Sequence, residues 1–149
     1  MMVGALLAAA ILPVGCGDSG GSATGATAAA QTFIKAITRG DTHAWCPQID
    51  DAILGGSHSG GLPAELLEQC EQHDLFLITG SCDREAAVAG ASIKGLSASG
   101  NHAEVELSSG AKLRLRLTRK RWLIADVIGG HVTRPAPAGP CSPASNGSS

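Results

Sequence analysis

The sequence predicts an α+β domain in which N-terminal helices pack on a curved antiparallel β-meander. Three observations carry this. Ala30, Phe33, Ile34 and Ile37 recur at the i, i+3, i+4, i+7 spacing of one apolar helix face. His102 to Ser108 and Lys112 to Thr118 alternate apolar and charged residues, the period of a half-buried strand. The order is also segregated, with the helical period first and the period of two afterwards.

Each element follows from its local residues. Gly40 ends the first helix and Asp41 is placed to cap the next. Trp45, Ile49 and Ile53 continue a helical period, with Pro47 either starting that helix or kinking it. The run Gly55 to Gly61, which contains His58, reads as a loop. Pro63 fits the first turn of a third helix with Leu66, Leu67 and Cys70 inward. Leu75 to Thr79 is a short apolar run, either the end of that helix or a strand, and Asp83 to Ala89 suits a helical turn.

The meander begins after Ala91. Ile93 and Leu96 fall on its first strand, which turns at Gly100-Asn101. On the second, Ala103, Val105 and Leu107 point inward and Glu104 and Glu106 outward. On the third, Leu113, Leu115 and Leu117 point inward and Lys112, Arg114 and Arg116 outward. A two-residue loop would oppose Glu106 to Leu113 and mix the faces. A three-residue loop, Ser109-Gly110-Ala111, pairs Glu106 with Arg114 and Glu104 with Arg116, and is the expected register. The last strand, Arg121 to Ile128, is apolar on both faces, which predicts a central strand or a subunit contact.

Composition limits the function. The 149 residues carry a formal charge of −2, against the basic excess of a nucleic-acid binder. There are two Trp, two Phe and no Tyr, so no phenol is available to any site. His43, His58, His73, His102 and His131 share no helix face and no cysteine pair has C-x-x-C spacing, so neither metal nor other cofactor is expected. Six of the basic residues (Lys112, Arg114, Arg116, Arg119, Lys120 and Arg121) fall within ten positions. This cluster reads mainly as a solvated hairpin face partly neutralised by Glu104 and Glu106. Arg119, Lys120 and Arg121 are the candidate contact with an anionic surface.

The N-terminus supplies an address. The apolar run Val3 to Val14 is too short for a permanent transmembrane helix and suits the h-region of an export signal. Leu12-Pro13-Val14-Gly15-Cys16 resembles the lipobox of bacterial lipoproteins, in which the cysteine becomes the acylated first residue. It departs from that pattern in having Pro13 where Leu is usual, and no Lys or Arg precedes Lys35. The resemblance implies a signal peptide over 1–15, lipid (palmitate and related acyl chains) on Cys16, and an extracytoplasmic, membrane-anchored protein. Residues 16–27 then read as a Gly/Ser/Thr-rich tether, 28–133 as the domain, and 134–149 as a disordered Pro/Ser-rich tail. With Cys16 acylated, Cys46, Cys70, Cys82 and Cys141 remain, an even set that reads as disulfides outside the cytosol. Four cysteines allow three pairings. Cys46–Cys70, joining two helices, is favoured, with Cys82–Cys141 as the second choice.

Phe33-Ile34-Lys35-Ala36-Ile37 followed by Gly40-Asp41, then Trp45-Cys46, and Trp122-Leu123-Ile124 after a basic hairpin resemble the nuclear-transport-factor-2-like (SnoaL-type, cystatin-like) superfamily. The resemblance covers roughly residues 28 to 130. It implies a sheet curled around the first helices into a cone-shaped pocket, which relatives use for isomerisation, cyclisation or hydrolysis, for ligand binding, or for assembly. The isomerase-type site needs a base and acidic donors, usually with a Tyr, and this chain has none. Asp41 and His43 lie near the pocket mouth in the family pattern, yet Asp41 reads as a helix cap and His43 as a surface residue. Epoxide hydrolysis needs Arg inside the cone, where Arg114 and Arg116 do not point. The expected function is therefore non-enzymatic binding or scaffolding by a lipid-anchored extracytoplasmic domain. A small-molecule isomerase, cyclase or hydrolase is the alternative. The expected partners are the membrane, through the N-terminal lipid, and a small molecule or protein. No nucleic acid is expected, and a homodimer would form through the sheet.

Overall fold

The computed structural model of the chain describes residues 23–56, 60–78 and 82–130. The leader with Cys16, His58, His131, Cys141 and the 134–149 tail lie outside the described residues. Within them the chain is α+β, with five helical segments and two 3-10 turns preceding a four-stranded antiparallel sheet.

Helix α1 (Ala23–Arg39) takes in residues that composition alone assigns to the tether. Alanine is the strongest helix former, and Ala26 and Ala30 are fully buried. The end of α1 is as expected: Gly40 adopts φ 66°, and Asp41 N–H donates to the Ala36 carbonyl at 3.0 Å. The Asp41 carboxylate then accepts from Ala44 N–H at 3.1 Å and caps α2 (Thr42–Trp45).

The helical period through Trp45, Ile49 and Ile53 does not continue as helix. Pro47 lacks the N–H a helix needs, and the chain tightens into a 3-10 turn, Cys46–Gln48. Ile49 and Asp50 are extended and meet β4 (Arg121–Ile128), where Asp50 N–H donates to the Ile124 carbonyl at 2.8 Å. A second 3-10 turn, Asp51–Leu54, follows. Ile49 is fully buried, so its apolar position was legible even though its backbone state was not.

Pro63 precedes α3 (Ala64–His73), which buries Cys70 fully and Leu66 and Leu67 in part. The expected Cys46–Cys70 disulfide joins the first 3-10 turn to α3. Asp74, at φ 60°, breaks the chain before α4 (Leu75–Ile78), so the Leu75 run is helical rather than a strand; α5 (Cys82–Val88) follows. Cys82 is also disulfide-bonded, and its expected partner Cys141 lies outside the described residues.

The sheet runs β1 (Ile93–Ser99), β2 (His102–Leu107), β3 (Lys112–Thr118), β4 in sequence order. The β2–β3 register differs from expectation by two residues. Glu104 faces Arg114, Glu106 faces Lys112, and His102 faces Arg116. The loop has three residues, but they are Ser108-Ser109-Gly110, with Gly110 left-handed at φ 80° and Leu107 N–H donating to Ala111 carbonyl at 2.8 Å. A shift by two preserves the faces. Burial accords with this register: Ala111, opposite Leu107, is fully buried and belongs to the core.

Strand β4 is an edge of this sheet rather than its centre. Its apolar faces are explained otherwise. A bulge near Ala125 lets Trp122, Ile124 and Val127 all turn to the core, and Leu123 is covered on the other side. Its outer edge carries the Ile49 bridge. Phe33, Trp45 and Phe76 form an aromatic chain with ring centroids 6.2 and 5.3 Å apart. With Val105, Leu107, Leu113, Leu115 and Ile124 they belong to one apolar core between helices and sheet. No helix among the described residues is long and apolar enough to cross a membrane.

Candidate functional site

Alternation along the strands sends the charged side chains to the solvent face of the sheet, where the register arranges them in rows. One row is Ser97, Glu104, Arg114 and Asp126; the next is Ser99, His102, Arg116 and Leu123. Between these rows and Ala52 of the second 3-10 turn lies an open cleft of about 490 Å³. That is within the size range of small-molecule sites.

The rows differ in charge balance. Glu104 accepts from Lys112 Nζ at 2.7 Å and lies 3.6 Å from Arg114 Nε. The Lys112 hydrogen bond holds the Glu104 carboxyl below the usual carboxylate range, and the same bond raises the Lys112 ammonium. Asp126 lies 4.0 Å from Arg84 and also accepts from Val127 N–H at 2.8 Å. Arg116 is half-buried and has no ion-pair partner within 4 Å among the described residues. The acid in its field is Asp50, which is fully buried and accepts from Ala52 N–H at 2.8 Å. Burial raises the Asp50 carboxyl, helped by its hydrogen bond to Asp51 and by the Asp51 charge, against the lowering effects of Ala52 N–H and Arg116.

A second buried acidic pair stands away from the cleft. Asp74 is 1% exposed at the α3–α4 junction, where its carboxylate accepts from Phe76 N–H at 2.9 Å. Glu85 of α5, 7% exposed, is pushed up to about 8 by burial, then by the Asp74 charge and a carboxyl–carboxyl hydrogen bond with Asp74. Burial and the neighbouring Asp74 carboxylate thus favour the protonated form of Glu85.

The basic cluster is divided by the fold. Lys112 and Arg114 are engaged by Glu104, Arg116 lines the cleft, and the other three residues form the β3–β4 turn. Arg119 (φ 49°) and Lys120 (φ 66°) are both left-handed in a two-residue hairpin loop closed by the Thr118–Arg121 pair. Arg121 Nη2 reaches back to the Pro47 carbonyl at 3.4 Å, so the projecting cations are Arg119 and Lys120. Left-handed backbone costs an L-residue roughly 1–2 kcal/mol. Arg119→Asn with Lys120→Gly is therefore expected to stabilise the domain by roughly 1–2 kcal/mol in urea unfolding. No gain in midpoint would show that the turn is unstrained.

Asp41 and His43 do not meet in the cleft. His43 Nδ1 lies 3.2 Å from Glu71 and links α2 to α3 at the surface. No cluster of three or more His, Cys, Asp or Glu side chains suited to a metal ion occurs among the described residues. Sequence reasoning missed His102 and Arg116 as a pair, because the expected register set Arg116 opposite Glu104. No residue of the hairpin itself signals the shift, since charge pairs form in both registers.

No protein family, curated protein or solved structure matches this chain.

Proposed function

We propose that this protein is an exported, lipid-anchored domain of nuclear-transport-factor-2-like type, held at the extracytoplasmic membrane face through acylated Cys16. It binds a small ligand rather than transforming it. The observation that supports binding most is the cleft on the solvent face, polar and accessible, while the two carboxyl pairs with raised acids are sealed. Asp50 and Glu85 are 0% and 7% exposed, too closed to exchange a proton with a substrate. The space between α1 and the sheet, where the family's cone would lie, is filled by the aromatic chain and the inward leucines.

Native mass spectrometry of the protein released gently from its source membrane tests this reading. An acyl mass on Cys16 together with a retained small molecule is expected. Protein that carries neither, with the Cys16 thiol intact, would overturn it.

The hairpin tip is a second contact, presenting Arg119 and Lys120 to the anionic surface beside the anchor. Its strain supports this role, because unfavourable backbone conformations persist where function retains them. The Arg119→Asn, Lys120→Gly variant, made in a soluble Cys16→Ser form, should partition less to anionic vesicles, by about 1 kcal/mol per cation removed. Partitioning equal to that of the parent would remove the tip from the membrane contact.

A further inference from the structure

Of the two arginines that line the cleft, only one has a carboxylate partner among the described residues. Lys112 and Arg114 share Glu104, and Arg84 approaches Asp126. Arg116, half-buried beside the second 3-10 turn, has no such partner among the described residues. Its neighbour across the β2–β3 pair is His102, a further donor rather than a counter-ion. Asp50 is a weak counter-ion, since burial and Asp51 favour its neutral form. A partly desolvated guanidinium attracts anions more strongly than one in bulk water and can hold a carboxylate or phosphate with two parallel N–H donors.

We infer that the cleft is an anion site, in which Arg116 with His102 holds the carboxylate or phosphate head group of a small ligand. The inference rests on the reading that this cleft binds a ligand, and adds the ligand's chemical class. The lining sets the rest of that class. It contains no Phe, Tyr or Trp, and its one ring is the imidazole of His102 beside Arg116. The hydroxyls of Ser97 and Ser99 on β1 and the small side chains of Ala52 and Ala125 leave room for a short polar body. Glu104 and Asp126, in the adjoining row, accept hydroxyl or amine donors from that body and oppose a second anionic group.

The test is a titration of the full chain in non-ionic micelles, followed by amide NMR at constant ionic strength. Inorganic phosphate is used in one arm and acetate in the other, so the responding arm identifies the head group. Saturable shifts confined to the cleft lining (Ala52, 97–104, 114–116 and 125–126) are expected, with affinity falling roughly tenfold or more in Arg116→Gln. Arg39→Gln, at the exposed end of α1 and outside the cleft, should bind as the parent does. Shifts that never saturate, or that persist unchanged in an Arg116→Gln protein whose spectrum is otherwise native, overturn the anion site. A panel of uncharged small molecules separates the two readings. If uncharged compounds saturate the same amides and neither anion does, the anion assignment fails and the binding cleft stands. If nothing saturates them, both fail.

Discussion

Replacing Cys46 and Cys70 together by alanine is expected to lower the unfolding free energy by about 3–4 kcal/mol. The two residues are separated by 24 positions, and cross-linking them removes the entropy of that loop from the unfolded chain. Both are fully buried, so the bridge also closes the helical layer where Pro47 interrupts it. The non-covalent ties at this point are few. Thr42 Oγ1 donates to the Glu71 carbonyl at 2.7 Å, and His43 meets Glu71 at the surface. Urea unfolding of the double variant measures the effect. A loss below about 1 kcal/mol would mean that these ties and the surrounding packing already hold α2 against α3.

Glu85→Gln should raise stability at pH 9 by on the order of 2 kcal/mol and remove most of the fall in stability between pH 5 and 9. The Glu85 carboxyl titrates at about 8 in the folded chain, against an ordinary 4.5. A group whose folded pKa is raised binds its proton more tightly when folded. Its stabilisation is therefore complete below about pH 4.5 and is lost as the pH rises through about 8. Above that, two carboxylates face each other in a buried site. The glutamine amide donates to Asp74 at every pH, as the protonated acid does, and adds no charge. Asp50 is raised as well and leaves a smaller slope of the same sign. Thermal midpoints from pH 5 to 9 for parent and variant decide the matter. Parallel profiles would show that Glu85 does not carry the pH dependence.

What could be read from residues alone follows the range of the interaction concerned. The Gly40–Asp41 stop and cap depend on neighbours within four positions, and both form as expected. The span of β4 follows from its continuous apolar run, and the inward set Ala103, Val105, Leu107, Leu113 and Leu115 from a period of two, which a single strand already displays. The β2–β3 register does not, because slips by two residues leave every side chain on its own face. Cross-strand charge pairing could not choose between those slips, as glutamates and basic residues oppose each other in both. The burial of Ala111 chooses between them, and that depends on packing from outside the hairpin. The cleft was hidden for the same reason, since Arg116 is left without a carboxylate only in the register that forms.

The amino-acid order was therefore enough for the α+β class, the cap at Asp41 and the two faces of the meander, and it favoured the Cys46–Cys70 bridge among three pairings. Each arises from short-range periodicity, local backbone chemistry or the pairing of nearby cysteines. Contacts between distant segments settled the rest. Ile49 and Asp50 leave the helix because Pro47 lacks the N–H that would continue it, and the Ile124 carbonyl at the edge of β4 accepts from Asp50 N–H instead. Asp74 and Glu85 are buried as neighbouring carboxyls because α5 folds back on the α3–α4 junction. Arg116 faces a cleft because packing around Ala111 shifts the hairpin by two residues.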